Sequence, residues 1–128
     1  MNSVRIISAA TIAALVAIAS PAIAHPKLVS STPAAKTTVS NVHQVTLVFS
    51  ERLMPQMSGV DLSMTGMPGM ANHAPMKMTG FKTSVAEDGK TLVAAFPKPL
   101  PAGTYQLDWH AVSADTHRIA GNLTFTVR

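Results

Sequence analysis

Apolar and polar residues alternate along three stretches of the chain, with a period of two residues instead of the 3.6 residues of a helix. The apolar positions of these stretches are Val45, Leu47 and Phe49; Tyr105, Leu107 and Trp109; and Leu123, Phe125 and Val127. Val48 interrupts the polar side of the first stretch. The pattern is typical of antiparallel strands that bury one face, so Tyr105 and Trp109 are predicted to lie in the core.

Weaker strand candidates lie at residues 27–31, 59–65, 79–86 and 91–97. The intervening segments STPAA, EDGK and PKPLPAG have the composition of turns. About seven short strands at this spacing predict an all-β fold, a single Greek-key β-sandwich of the immunoglobulin-like kind. A small barrel fits the same pattern nearly as well.

The amino-terminal residues have the composition of an export signal. The charged start MNSVR precedes the apolar run IISAATIAALVAIA, and SPAIA supplies the small residues of a cleavage site. We predict a cleaved signal peptide over residues 1–24 and a mature domain over residues 25–128, exported to the periplasm. The apolar run is shorter than the about 20 residues that a spanning helix needs, so the mature protein is expected to be soluble.

The composition narrows the chemistry of this exported domain. The chain has no cysteine but eight methionines, and thioethers, unlike thiols, do not form disulfides in an oxidising compartment. A site for a soft metal ion in that compartment is therefore better built from methionine. The ten basic residues outnumber the six acidic ones but are scattered singly, which argues against a nucleic-acid partner.

Five of the eight methionines lie in the segment MTGMPGMANHAPMKM, residues 64–78, together with one of the five histidines. Pro68 and Pro75 lack an amide donor, and Gly66 and Gly69 raise the entropic cost of a helix, so the segment is predicted to be a loop. Exposed loop methionines gain little from burial and risk oxidation. Their clustering therefore indicates a site for a soft ion such as Cu(I).

Nitrogen and oxygen ligands, which are harder than thioethers, occur near both ends of the predicted mature chain. Cleavage after Ala24 would make His25 the first residue, with an amine and an imidazole that can bind the same ion. Asp115 and His117 are two apart in the turn-like segment SADTH, so both side chains share one face if the backbone is extended. One amine, two imidazoles and a carboxylate form a nitrogen and oxygen set that suits Cu(II).

Four other potential ligands are assigned ordinary roles. His43 lies in a strand pattern and His110 follows a core tryptophan, so both are interpreted as surface or hydrogen-bonded histidines. Met54 and Met57 could bind metal but are expected to fill gaps in the core, because the thioether side chain is flexible.

The ordered set of short segments resembles one family. HPKLVSSTPA directly after the signal, VTLVFSE ending at Glu51, MTGMPGM with HAPMK, LPAGTY, and a tryptophan followed by SADTH together look like the periplasmic copper-resistance protein CopC (PcoC) family. The match covers the whole mature chain in order. The resemblance implies a small cupredoxin-like or immunoglobulin-like β-domain with a Cu(I) site at the methionine loop and a Cu(II) site at the amino terminus.

The resemblance also implies individual ligands. The implied Cu(II) ligands are His25, Glu51, Asp115 and His117. The implied Cu(I) ligands are drawn from Met64, Met67, Met70, His73 and Met76, of which three or four bind at once. Met78 is one thioether more than the family pattern supplies.

These features predict a copper carrier or buffer with no reaction of its own, which passes copper on by ligand exchange. The resemblance implies partners such as a multicopper oxidase or a membrane copper importer of the CopD kind. Two alternatives are an enzyme with the histidine brace of lytic polysaccharide monooxygenases, and a structural β-sandwich whose methionine loop contacts another protein. The paucity of aromatic residues, with one tryptophan and one tyrosine, weighs against a sugar-binding surface.

Overall fold

The computed structural model describes residues 26–128, which form nine strands and one 3-10 turn, Pro55–Met57. The strands are β1 (Leu28–Thr32), β2 (Thr38–Val39), β3 (Gln44–Phe49), β4 (Gly59–Gly66), β5 (Met76–Lys77), β6 (Lys82–Val85), β7 (Thr91–Ala95), β8 (Gly103–Val112) and β9 (Arg118–Val127). Within this described part, no helix is long and apolar enough to cross a membrane. The predicted signal peptide and His25 lie outside the described residues.

The strands form two separate sheets, so the fold is a sandwich and the barrel alternative is wrong. One sheet has the order β1-β3-β7-β6 and the other the order β2-β9-β8-β4-β5. All neighbours are antiparallel except β2 and β9. The all-β prediction is confirmed, and each of the seven predicted strands is present. The two additional strands, β2 and β5, have two residues each.

The core lies between the two sheets and contains the apolar residues of the alternating pattern. All nine side chains of the three stretches are buried, including Tyr105 and Trp109 as predicted. Phe49 packs edge-on against Trp109 with ring centroids 5.2 Å apart, and Tyr105 stacks on Phe125 at 5.4 Å. Burial of each large side chain contributes about 1.5–3 kcal/mol, and these aromatic pairs join the two sheets and the strands within them.

The predicted loop over residues 64–78 is wrong at both of its ends. Met64 belongs to β4 and is a core side chain with 7% of its surface exposed, because it continues the alternation of buried Leu62. Residues Met76–Lys77 form β5 at the edge of the sheet. Met57 also differs from expectation, since it lies on the 3-10 turn with 51% exposed and does not fill the core.

Strand β8 is ten residues long and connects the two regions where the candidate ligands lie. At its start, Thr104 pairs with Gly66, where β4 leads into the methionine segment. At its end, Val112 leads into the turn that contains Asp115 and His117. The fold therefore places the soft and the hard candidate ligands at opposite ends of one strand.

Candidate metal centres

A tight turn holds Asp115 and His117 between β8 and β9. The backbone N–H of Ser113 donates to the carbonyl of His117 at 2.9 Å, and the N–H of Thr116 donates to the carbonyl of Ser113 at 2.8 Å. Thr116 adopts a φ of 73°, a left-handed conformation that is rare for a β-branched residue. The turn is thus closed by its own backbone hydrogen bonds.

The side chains of Asp115 and His117 contact each other through this turn, and not through the extended backbone that the spacing prediction assumed. Nδ1 of His117 lies 2.9 Å from Oδ2 of Asp115. A carboxylate accepts, so the neutral ring carries its proton on Nδ1 and has its lone pair on Nε2. The hydroxyl of Ser113 donates to Oδ1 of the same carboxylate. This hydrogen bond, followed by that from His117, lowers the pKa of Asp115 to about 2.

Backbone contacts bring two other segments to this turn. The N–H of Ala114 donates to the carbonyl of Arg52 at 3.0 Å, next to Glu51 in the chain. The N–H of Ser50 in turn donates to the carbonyl of Lys27 at 2.9 Å, so the start of the described chain lies beside the same segment. Glu51 therefore lies between the segment bonded to Lys27 and the segment bonded to the turn.

The predicted Cu(II) set is only partly within the described residues. In the range 26–128, no three histidine, aspartate or glutamate side chains come together in an arrangement that could hold a metal ion. Asp115 and His117 form a pair, and Glu51 does not join them as a third member. His25 lies outside the described residues, two positions before Lys27 in the sequence.

At the other end of β8, Met67 and Met70 face each other in a narrow hairpin. Each donates its N–H to the carbonyl of the other, and both distances are 2.9 Å. Pro68 and Gly69 form the turn between them, with Gly69 at a φ of 82°, as a type II turn requires. Directly opposed residues project to the same side with Cβ atoms about 4.5–5.5 Å apart. The exposed fractions of Met67 and Met70 are 37% and 53%.

Met64 and Met76 form a second opposed pair, between β4 and β5. Met76 is 53% exposed at the edge of the sheet, whereas the thioether of Met64 packs against Gly103, where a side chain would contact its sulfur and methyl. Met78 is half-buried and packs against the core, and its N–H donates to the carbonyl of Leu62 at 2.8 Å. The exposed thioethers of the segment are therefore those of Met67, Met70 and Met76.

His73 lies in the loop between these two methionine pairs. Its N–H donates to the carbonyl of Thr65 at 3.1 Å, and the loop approaches Gly66 so closely that a side chain there would collide with the carbonyl oxygen of Ala71. Nδ1 of His73 donates to the carbonyl of Ala74 at 2.7 Å, which leaves the lone pair of the neutral ring on Nε2. That Nε2 is buried and has no hydrogen-bond partner among residues 26–128.

The two histidines assigned ordinary roles lie elsewhere. His43 is exposed, and its Nε2 lies 3.0 Å from Oδ1 of Asn41, so the interpretation as a hydrogen-bonded surface histidine is confirmed. His110 is half-buried on the outer face of the five-stranded sheet, where its ring covers Gly59 and it lines a cavity of about 420 Å³ together with Asp61 and Asp108.

Ser113 is the residue of this region that the sequence reasoning missed. It is 2% exposed, and its hydroxyl holds Asp115. The signal for it is the pattern Ser-x-Asp-x-His, in which a small polar residue directly follows a buried strand and precedes the first candidate ligand by two positions.

Comparison with known proteins agrees with this architecture. The model of the CopC domain family matches residues 28–128. The chain is similar to copper resistance protein C of Escherichia coli, with 49% identity over 111 residues that cover 87% of each chain. It is also similar to copper resistance protein C of Pseudomonas syringae pv. tomato, with 50% identity over 105 residues and 82% of each chain covered.

A solved structure has the same fold. The crystal structure of PcoC, a methionine-rich copper resistance protein from Escherichia coli, superimposes with a TM-score of 0.73 and 48% sequence identity. The superposition covers 82% of this chain and 100% of that protein. With a family match over the whole described domain and relatives of such identity and coverage, the chain belongs to the CopC family.

Proposed function

We propose that this chain is a periplasmic copper-binding protein that carries or buffers copper, contributes to copper tolerance and catalyses no reaction of its own. Its relatives are named for copper resistance, and one of them is described as methionine rich. The arrangement of the candidate residues supports the proposal: thioethers and His73 lie at one end of β8, and Asp115 with His117 at the other.

One observation carries the proposal: the buried Nε2 of His73 has a lone pair and no hydrogen-bond partner among residues 26–128. Buried polar atoms are nearly always hydrogen-bonded, so an unpartnered lone pair in the segment that also has three exposed methionines supports a bound ligand there. The hydrogen bond from Nδ1 to a backbone carbonyl is the contact that fixes the ring of a metal-binding histidine.

The proposed Cu(I) ligands are Met67, Met70, Met76 and the Nε2 atom of His73. Thioethers and imidazole are soft or borderline ligands that suit Cu(I), and three or four of them complete its coordination. Met64 was in the predicted set, but its sulfur is packed in the core. We therefore assign Met64 to packing and keep the other four residues as the ligands.

The proposed Cu(II) ligands are the amine and ring of His25 and Nε2 of His117, with Glu51 as an oxygen donor. The segment after His25 supports this assignment, because Lys27 is hydrogen-bonded in both directions to Ser50, next to Glu51. Imidazole, amine and carboxylate form the mixed nitrogen and oxygen set that Cu(II) favours. Asp115 was in the predicted set, but its carboxylate accepts from Nδ1 of His117 and so faces away from an ion on Nε2. We therefore assign Asp115 to orienting the ring.

Release of copper is proposed to occur by ligand exchange. Exposed Met67 and Met70 lie on a hairpin that a partner can approach, so an incoming thioether can bind the ion before the last ligand of this protein leaves. Partners with methionine-rich segments, such as a multicopper oxidase or a membrane importer of the CopD kind, suit this chemistry.

The proposal is tested by measuring stoichiometry and affinity for each oxidation state by competition with chelators. One Cu(I) and one Cu(II) per processed chain, both held more tightly than by a weak chelator, are expected. Failure to compete for either ion would overturn the copper function and favour the structural alternative. The enzyme alternative predicts copper-dependent oxidation of polysaccharide in the presence of a reductant, and we expect none.

A further inference from the structure

Ser113 is a buried polar side chain, with 2% of its surface exposed. It lies directly after β8, where it forms a bridge with Leu53, and its N–H donates to the carbonyl of His117 at 2.9 Å. The backbone of Ser113 is therefore fixed from two directions, and its hydroxyl has a defined position.

The hydroxyl begins a chain of hydrogen bonds that ends at a candidate ligand. Its O–H donates to Oδ1 of Asp115, and its oxygen lies 3.3 Å from the carbonyl oxygen of His117. The second carboxylate oxygen, Oδ2, accepts from Nδ1 of His117 at 2.9 Å. Asp115 and His117 are themselves on the surface, so the buried hydroxyl is the rigid end of this chain.

We infer that Ser113 is a positioning residue, which orients Asp115 so that His117 keeps its proton on Nδ1 and offers Nε2 as its metal-binding atom. The inference rests on the proposed Cu(II) site and adds a residue and a ligand atom to it. Without the hydroxyl, the exposed carboxylate can rotate away, and it no longer holds the ring of His117 in the Nδ1–H tautomer.

The first test compares three variants of the processed protein for Cu(II) affinity and for the Cu(II) EPR spectrum. Loss of an outer-shell partner typically weakens metal binding about 10–100-fold, so S113A should lose affinity in that range and change the EPR parameters. S113T restores a hydroxyl and should recover most of both. S58A is the matched control, because Ser58 binds the neighbouring N–H of Val112 at 3.0 Å and does not contact Asp115. Cu(I) affinity should stay unchanged in all three.

The second test needs no copper. Nitrogen-15 NMR of the His117 ring, recorded well above the ordinary imidazole pKa near 6.5, reports which nitrogen carries the proton. The Nδ1–H tautomer should dominate in the unmodified protein and decrease in S113A and in D115A. Because Ser113 acts through Asp115, adding S113A to D115A should change neither the tautomer ratio nor the Cu(II) affinity further.

These measurements separate the two proposals. If the unmodified protein binds no Cu(II), the proposed site fails, and the tautomer ratio still decides whether Ser113 controls His117. If S113A retains the affinity, the EPR spectrum and the tautomer ratio, the role of Ser113 is wrong while the copper site stands. An additive effect in the double variant would likewise overturn it. If S113A fails to fold, D115A still tests whether the carboxylate controls the tautomer of His117, because Asp115 is an exposed residue whose replacement should not unfold the protein.

Discussion

Met67 and Met70 face each other across a two-residue turn and exchange both of their backbone hydrogen bonds, each 2.9 Å long. The arrangement fixes the spacing of their Cβ atoms before any ion arrives, so little backbone entropy has to be lost on binding. The hairpin therefore holds the two thioethers in a preorganised arrangement, as the proposed Cu(I) site requires.

Replacing Met67 and Met70 together by leucine should weaken Cu(I) binding by more than the about 10–100-fold that loss of an outer-shell partner costs. Leucine keeps the size of the side chain but has no sulfur lone pair. Chelator competition measures the loss. M78L is the matched control, because that thioether packs against the core. Equal losses in M78L and the double variant would contradict the assignment, as would unfolding of the double variant.

The H73A variant should lower Cu(I) affinity and leave Cu(II) affinity unchanged, because His73 lies among the methionines at one end of β8. X-ray absorption at the copper edge should show loss of a nitrogen ligand. H43A provides the comparison, since His43 is exposed and pairs with Asn41. A wild-type spectrum from H73A would exclude Nε2 as a ligand.

A variant that retains one extra residue before His25 should fold, bind Cu(I) normally and bind Cu(II) more weakly by several orders of magnitude. The extension converts the amine into an amide and breaks the chelate, while every side chain remains. Mass spectrometry of the amino terminus must accompany the titration. Undiminished Cu(II) binding would exclude the amine and require His43 or His110 as the missing nitrogen donor.

The carboxyl of Asp115 should titrate near pH 2 in the metal-free protein, against a reference pKa of 3.8. Because the folded pKa lies below the unfolded one, this group stabilises the fold above about pH 3.8, and its contribution is lost as the pH falls towards 2. Carbon-13 NMR of the carboxyl group measures the midpoint. In S113A, which lacks the strongest hydrogen-bond donor, the midpoint should rise. A midpoint near 3.8 in the unmodified protein would show that the hydrogen bonds do not persist in solution.

Tyr105 should ionise only near pH 12, because burial raises its pKa from 10.0. The folded state therefore favours the neutral phenol. The stability from this group is complete below pH 10 and is lost as the pH rises through 12. The chain has a single tyrosine, so ultraviolet absorbance follows the phenolate directly. Y105F should remove this part of the alkaline destabilisation, and a transition near pH 10 in folded protein would contradict the burial.

The alternating positions were enough to predict the sheets, because burial of one face imposes a period of two on residues such as Leu107 and Phe125. The same rule identifies Met64 as a core residue, two positions after Leu62. The prediction of a loop from residue 64 onward gave more weight to the prolines and glycines that follow Met64 than to this alternation. Strands β2 and β5 have only two residues, which is too short for any periodicity, so their pairing could not be predicted.

The candidate sites were predictable as residue types but not as geometry. Spacing within SADTH indicated Asp115 and His117 as a pair, but the turn that brings them into contact was not predicted, because an extended backbone was assumed. The approach of Arg52 to Ala114 depends on how distant segments pack, and a single sequence carries no direct signal for it. The tautomer of His73 likewise follows from one backbone carbonyl, that of Ala74, whose position depends on the fold of the whole loop.

The length of β8 has a kinetic consequence. A strand rises about 3.4 Å per residue, so Gly103 and Val112 lie roughly 30 Å apart, with the methionine hairpin beyond one and the Asp115 turn beyond the other. No ligand can reach across that distance, and an ion at one end gets to the other only by leaving the molecule or by meeting a second copy. We therefore expect any transfer of an ion between the two proposed sites to be bimolecular, at a rate that depends on the protein concentration.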